Sequence, residues 1–258
     1  MKNVDAPWTL VGTDFDPAAV RHLGGGRRIA VVIPAQNESA TIGAVVDAVT
    51  HHQGFVDDVI VVDDHSSDDT AQIALHHGAR VIHLREGTGK GEALTAGVRE
   101  TDAEIVVFLD GDVLNPGVDY VARMVQPLLE RSHIQLVKAY YERPLHDMPG
   151  GGGRVNELAA RPILSLLYPG LGEIRQPLAG ETAIRRETLD ALTLESAYGV
   201  EIALLIDVAH KFGVASLAQV DLGVRRHRNR PLEELRPMAA EVLKSALVRY
   251  NVELPGPD

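Results

Sequence analysis

Ile105-Val106-Val107-Phe108-Leu109-Asp110-Gly111-Asp112 is an unbroken apolar run that stops on two carboxylates separated by a glycine. A strand buried on both faces reads this way, because neither side needs polar residues. Two aspartates in a tight turn at its carboxyl end can hold a hard divalent cation through oxygen. That cation would neutralise a diphosphate and act as Lewis acid for a departing nucleotide. An ordinary strand end with solvated aspartates carries the same letters, so the rest of the chain has to decide.

The pattern recurs upstream. Ile29-Ala30-Val31-Val32-Ile33 is closed by Pro34, Asp58-Val59-Ile60-Val61-Val62 ends in Asp63-Asp64, and Val81-Ile82-His83-Leu84 precedes Glu86-Gly87-Thr88-Gly89-Lys90-Gly91. Apolar spacing predicts helices opening near Ser39, running from Asp68-Asp69-Thr70 to about His77, and covering roughly 91–100. This strand, polar loop, helix alternation predicts an α/β fold with a mostly parallel sheet flanked by helices. Ligands of such sheets bind at the carboxyl ends of strands, near a switch point. The polar clusters near residues 37, 64, 90 and 110 are therefore expected to converge. Further on, the pattern predicts a helix near 118–131, a strand at 134–138 and a loop at Pro149–Gly153. Helices near 154–167 and 199–212 and a strand around 217–224 follow. Residues 1–26 read as an irregular lead-in, and the last 25 or so as a helical tail.

Composition narrows the classes. The 258 residues are enough for one large α/β domain, and hydrophobic (45%) and charged (24%) fractions are those of a globular protein. Aromatics at 4% and a formal charge of −11 argue against a nucleic-acid partner. The absence of cysteine excludes disulfides, zinc-thiolate sites and cysteine nucleophiles. No apolar run approaches the roughly 20 residues of a membrane span, and MKNVDAPWTL lacks a signal-peptide core. A cytoplasmic enzyme without a membrane partner is expected.

Several motifs allow two readings. Pro34-Ala35-Gln36-Asn37-Glu38 can hydrogen-bond a base or ribose, or cap a helix through Asn37 or Ser39. Asp63-Asp64-His65-Ser66-Ser67-Asp68-Asp69-Thr70 can touch a nucleotide, with Ser66 the candidate, or cap the next helix. Gly87–Glu92 departs from a P-loop because Gly91 stands where Ser or Thr is required, yet Lys90 can still meet a diphosphate. Gly150-Gly151-Gly152-Gly153-Arg154 can cradle an anion or form a flexible loop. Arg225-Arg226-His227-Arg228-Asn229-Arg230 is either a solvated face or an anion site, in which His227 could supply a further metal ligand.

In this order the motifs resemble the glucosyl-3-phosphoglycerate synthases and their mannosyl-transferring relatives, retaining glycosyltransferases of the GT-A fold. The resemblance covers about residues 29 to 240. It rests on Pro34-Ala35-x-Asn37-Glu38, Gly89-Lys90-Gly91-Glu92-Ala93, Asp110-x-Asp112 and Gly152-Gly153-Arg154-Val155. Gln176-Pro177-Leu178-Ala179-Gly180-Glu181, Tyr198-Gly199-Val200-Glu201 and Arg225-x-His227-Arg228-Asn229-Arg230-Pro231 extend it.

The resemblance implies a metal-dependent hexosyltransferase with Mg²⁺ or Mn²⁺ at Asp112 and His227, and Asp110 at the nucleotide ribose or sugar. Pro34, Ala35, Asn37, Glu38, Ser66, Lys90 and Arg225 fall in the donor site, and Glu201 against the hexose hydroxyls. Gly153, Arg154, Asn156 and Asn229 fall where the acceptor's anions bind. Leu178 lines the reaction centre, where retaining transfer proceeds by front-face attack. Residues 27–232 then form the catalytic domain, divided into a nucleotide-sugar half (27–115) and an acceptor half (116–232), with 233–258 as the tail. Glucose, carried by UDP, GDP or ADP, is the first choice of hexose, 3-phosphoglycerate of acceptor, and a homodimer is allowed. Three departures bear on specificity: Asn156 replaces a threonine, the segments before Gly89-Lys90 and before the glycine run are short, and His65 stands where glycine is common. They leave room for another small acceptor. A sugar-phosphate nucleotidyltransferase would want its glycine-rich signature directly after the first strand, and a binding-only module would not need so many candidate ligands.

Overall fold

The computed structural model describes residues 6–11, 15–50, 56–145, 148–151, 153–226 and 232–252. Its frame is one eight-stranded sheet, ordered β1-β10-β6-β9-β5-β2-β3-β4. The strands are β1 (Trp8–Leu10), β2 (Ile29–Ala35), β3 (Asp58–Asp63), β4 (Arg80–His83), β5 (Ile105–Phe108), β6 (Leu136–Glu142), β9 (Thr182–Arg185) and β10 (Leu217–Val224). Every pairing is parallel except those of β9, which runs antiparallel to both β5 and β6. A separate hairpin pairs β7 (Pro144–Leu145) with β8 (Met148–Gly151).

Continuous apolar runs became central strands because both faces are covered. Ile29, Val31 and Ile33 of β2 join one core with the helices α1 (Pro17–Gly24), α2 (Ile42–Thr50), α3 (Thr70–His76) and α5 (Tyr120–Glu130). Val32, on the opposite face, joins a second core with α4 (Lys90–Arg99), α6 (Arg161–Leu167), α8 (Val200–Phe212) and α9 (Leu232–Arg249). This is the period-two split of a strand. Among the described residues no helix is long and apolar enough to cross a membrane.

Several expected boundaries moved for physical reasons. The lead-in read as irregular holds β1, a three-residue edge strand too short to show alternation, and α1. The strand expected at 134–138 starts at Leu136 and continues through Lys138, a lysine that the fold buries, to Glu142. The helix expected at 154–167 is interrupted by a π-helical turn at Asn156–Ala160, and Pro162, which has no N–H to donate, stands just after the joint. The helix expected near Ser39 begins at Ile42, and neither Asn37 nor Ser39 caps it: the Ser39 amide donates to Asp68 Oδ2 instead, at 3.2 Å. The antiparallel β9 carries Thr182 and Arg185 in only four residues, so no apolar run announced it.

α4 lies flush on the sheet because Gly97 has no side chain. A Cβ there would stand 2.3 Å from Val32 Cγ1 and 3.1 Å from Val62 Cγ2. Gly97→Ala should therefore reverse the usual sign of a helix Gly→Ala change. The propensity gain of about 1 kcal/mol is outweighed by an overpacking cost of about 1–3 kcal/mol. Urea unfolding of the variant should show lower stability than the parent, and a stabilised variant would contradict the close packing.

Candidate active site

β2 is flanked by β3 on one side and β5 on the other: the chain runs outward from β2 through β3 to β4 and then crosses back to β5. The crevice at this switch point collects the polar ends of β2, β3 and β5. A cavity of about 770 Å³ opens there, lined by Pro34, Ala35, Asn37, Glu38, Asp64, Lys90, Asp110 and Asp112. Gly153, Arg154, Asn156, Leu178 and Glu201 line the same cavity. The four expected clusters do converge. His227 and Asn229 lie outside the described residues.

The β2 end is pinned across the sheet. Asn37 takes a left-handed φ of 58°, which a short polar side chain tolerates. Its amide donates to Ser66 Oγ at 2.9 Å, and its Oδ1 accepts from the Ser67 amide at 2.9 Å. Ser66 thus braces Asn37 from behind and is not on the cavity wall. The Glu38 amide donates to Thr70 Oγ1 at 2.8 Å, and the Thr41 hydroxyl reaches the Gly111 carbonyl at 2.7 Å. Asp68 fastens the same corner through the Thr70 hydroxyl and the Ser39 amide, which hold its carboxyl down to about 2.

Asp64 holds the glycine-rich loop, accepting from the Gly89 amide at 2.7 Å and the Thr88 hydroxyl at 3.2 Å. That loop delivers Lys90 at the first position of α4. A Cβ on Gly91 would meet the Glu195 carbonyl oxygen at 2.0 Å, which explains why no Ser or Thr stands there.

Lys90 Nζ lies 2.5 Å from Asp110 Oδ1 and 2.6 Å from Glu201 Oε1. Asp110 Oδ2 accepts from Arg225 Nη2 at 2.9 Å, and the same nitrogen reaches Asp112 Oδ1 at 3.2 Å. Arg225 Nη1 bonds Glu181 Oε2 and the Tyr141 hydroxyl, both at 2.6 Å. The side chains of Arg225 and Glu181 are completely buried. Arg225 therefore stands behind the cavity wall as the cation shared by Asp110, Asp112 and Glu181, and not as a lining residue. Burial alone would raise the Asp110 carboxyl, but the flanking Lys90 and Arg225 hold it well below the usual carboxylate range. Burial pushes the Glu181 carboxyl and the Tyr141 phenol up.

Asp112, about a third exposed, reaches the cavity with one oxygen on Arg225. Both oxygens of Asp110 are engaged by cations. Of the two carboxylates, Asp112 thus fits a hard cation better. Among the described residues no three His, Asp or Glu side chains converge on a metal position. A Mg²⁺-like ion does not need such a set, since one or two carboxylates, substrate phosphates and waters suffice.

On the other side, Asn156 is buried and its amide is spent internally. Nδ2 donates to the Arg175 carbonyl at 3.3 Å and to Glu157 Oε1 at 2.9 Å, and Oδ1 accepts from the Leu178 amide at 3.4 Å. It holds the Leu178 turn against the cavity. Lys138 supports that turn from below, donating to the Ala179 carbonyl and to Thr182 Oγ1 at 3.0 Å.

Residues marked by no motif also line the cavity, Arg143 and Glu234, Leu235, Met238 and Glu241 of α9, as does Tyr198, quoted in a motif but given no role. The helix read as a tail is latched to the loop before Glu201. Glu241 Oε2 accepts from the Tyr198 amide at 3.0 Å, and Arg249 pairs with Asp207 at 2.8 Å and with Glu195. Only the position of Tyr198 beside the Glu201 motif hinted at this.

Residues 30–152 match the family model for Glycosyl transferase family 2. Glucosyl-3-phosphoglycerate synthase of Mycobacterium tuberculosis is 47% identical over 242 residues, covering 88% of this chain and 75% of that protein. The chain belongs to the glucosyl-3-phosphoglycerate synthase family. A second member, from Petrotoga mobilis, is 41% identical over 239 residues, or 87% of this chain and 74% of that one. The crystal structure of the M. tuberculosis enzyme with Mn²⁺, UDP-glucose and phosphoglyceric acid superposes with a TM-score of 0.89. The two are 43% identical, and the match spans 98% of this chain and 90% of that one. The same enzyme with Mg²⁺ and UDP gives a TM-score of 0.90 at 42% identity, over 97% and 89% of the two chains. The fold is accordingly of GT-A type, as the motif order implied.

Burial pushes Lys138 down to about 8. Between that value and the ordinary lysine range the unfolded chain keeps a proton that the folded chain has lost. Stability from this group therefore rises with pH across the window, by at most about 1.4 kcal/mol per unit. Urea unfolding at pH 8 and pH 9.5 should show this rise in the parent and a smaller one in Lys138→Met. Equal slopes would contradict the depressed value.

Proposed function

We propose that the chain transfers glucose from UDP-glucose to 3-phosphoglycerate in a metal-dependent reaction that retains the configuration at the anomeric carbon. The observation carrying this reading is that one cavity is lined by Asp112, Lys90 and Glu201 together with Gly153, Arg154, Asn156 and Leu178. The family's Mn²⁺ and UDP-glucose complex agrees with the donor assigned.

Asp112, with His227 as the partner expected from the sequence, would hold the metal. When bound, that ion neutralises the diphosphate and stabilises it as leaving group. Pro34, Ala35, Asn37 and Glu38 form the rim for the base and ribose, kept rigid by their bonds to the 66–70 loop. Lys90 fixes Glu201 at 2.6 Å, so that its carboxylate accepts hydrogen bonds from hexose hydroxyls in a set orientation. Arg154 and Gly153 receive an acceptor anion, and Leu178 keeps the space between donor and acceptor apolar. With the acceptor on the same side as the leaving diphosphate, the departing oxygen takes the hydroxyl proton, and no separate enzymic base is required.

The test is turnover of UDP-glucose and 3-phosphoglycerate with Mn²⁺ or Mg²⁺, with the product identified by mass and by anomeric coupling in NMR. Asp112→Ala should lower kcat by at least about 100-fold, the size seen when a charge-stabilising group is removed. Arg154→Ala should raise the KM for acceptor far more than that for donor. Transfer at the parent rate by Asp112→Ala would remove the metal assignment, and equal rises in both KM values would remove Arg154 from the acceptor site.

A further inference from the structure

Arg143 follows the last residue of β6 and lies on the cavity wall beside Gly153, Arg154 and Asn156. It packs so closely on Gly153 that a Cβ there would stand 3.5 Å from Arg143 Cδ and 3.6 Å from its Nη1. The guanidinium carbon sits 5.5 Å from the centre of the Tyr141 ring, which holds the group in place by its face. Its Nε is buried without a hydrogen-bond partner, and among the described residues no carboxylate pairs with it.

That isolation is unusual within this chain. A buried Nε without a partner also occurs at Arg161 and Arg225, but there the terminal nitrogens are paired, Arg161 with Glu157 and Arg225 with three carboxylates; Arg249 pairs with Asp207 and Glu195, and Arg185 bonds the carbonyls of Ile134 and Leu128. In an acidic protein of net charge −11, a half-buried arginine with neither a carboxylate nor a carbonyl on its donors is an exception. A planar guanidinium so placed suits the two-point recognition of a carboxylate or phosphate.

We propose that Arg143 is a second anion-binding residue of the acceptor pocket and works with Arg154 as a clamp for an acceptor bearing two anionic groups. The proposal rests on the acceptor reading above. 3-Phosphoglycerate carries a carboxylate on one side of its free hydroxyl and a phosphate on the other. One arginine fixes one end and leaves the hydroxyl free to swing. Two arginines fix both ends and set the hydroxyl's position between them, which is the orientation a transfer step needs. The clamp also selects against acceptors with a single charge, since an arginine left unpaired in the pocket is costly.

The experiment compares the parent chain, Arg143→Met and Arg143→Lys with three acceptors: D-3-phosphoglycerate, D-glycerate without the phosphate, and glycerol 3-phosphate without the carboxylate. Arg143→Met should raise the KM for 3-phosphoglycerate by about 10- to 100-fold, with the KM for UDP-glucose unchanged. Arg143→Lys should recover part of this loss. The effect of the substitution should disappear with whichever analogue lacks the group Arg143 binds, and persist with the other. The unchanged donor KM doubles as the control for an intact fold. An unchanged acceptor KM, or the same fold-loss with all three acceptors, would overturn the clamp. Calorimetric titration of D-3-phosphoglycerate into the same proteins separates the two readings. A parent that binds it but does not turn it over contradicts the proposed reaction only, whereas equal affinity in parent and Arg143→Met contradicts the clamp.

Discussion

One buried arginine joins four strands. Taking a guanidinium out of water costs several kcal/mol unless its donors are met, and Arg225 is fully buried. Its partners come from separate places in the chain: Asp110 and Asp112 from the end of β5, Tyr141 from β6, Glu181 from just before β9. Arg225 itself follows β10. The antiparallel direction of β9 matters here. A parallel strand would offer its carboxyl end to the crevice, whereas β9 offers its start, which puts Glu181 beneath the aspartates. Gly180 must precede it, because a Cβ would stand 2.0 Å from Asp110 Oδ1.

From Asp110 the network continues to Lys90 and Glu201, which ties α4 to α8 and so joins the donor loop to the residue proposed to hold the hexose. Three cations, Lys90, Lys138 and Arg225, stand among four carboxylates, Asp110, Asp112, Glu181 and Glu201. Of the four carboxylates, Asp112 is the most exposed and reaches the cavity. The carboxylates outnumber the cations by one, which leaves negative charge at the cleft to attract a divalent cation. The arrangement explains why two aspartates one residue apart have different tasks: Asp110 is consumed in fixing the cations, and Asp112 is presented to the cleft.

The central strands were legible because burial on both faces leaves an unmistakable apolar run, and Asp63, Asp64, Asp110 and Asp112 were legible because each closes such a run. The convergence of those ends followed from parallel topology alone. Other features had no local signal. Lys138 and Glu181 are charged residues whose neighbours come from distant strands, so nothing around them in sequence predicts burial. Arg225 opens a basic run that reads equally well as a solvated face, and only the β10 register turns it inward. α9 carries a polar pattern that does not state what it packs against. Arg143 belongs to no motif at all; what distinguishes it is a partner it lacks, and that is visible only in three dimensions.

The dependence of the site on Arg225 can be measured through metal binding. Arg225→Lys keeps the charge but cannot span Asp110, Asp112, Tyr141 and Glu181 at once, because an ammonium lacks the planar fork. Mn²⁺ affinity in the presence of UDP, followed by the Mn²⁺ EPR signal in the parent and in folded Arg225→Lys, is the direct readout. A loss of about 10-fold or more, with the circular dichroism spectrum retained, is the expected result, comparable to removing a group that orients a metal ligand. Parent-like Mn²⁺ affinity in the folded variant would contradict the claim that Arg225 sets the position of Asp112.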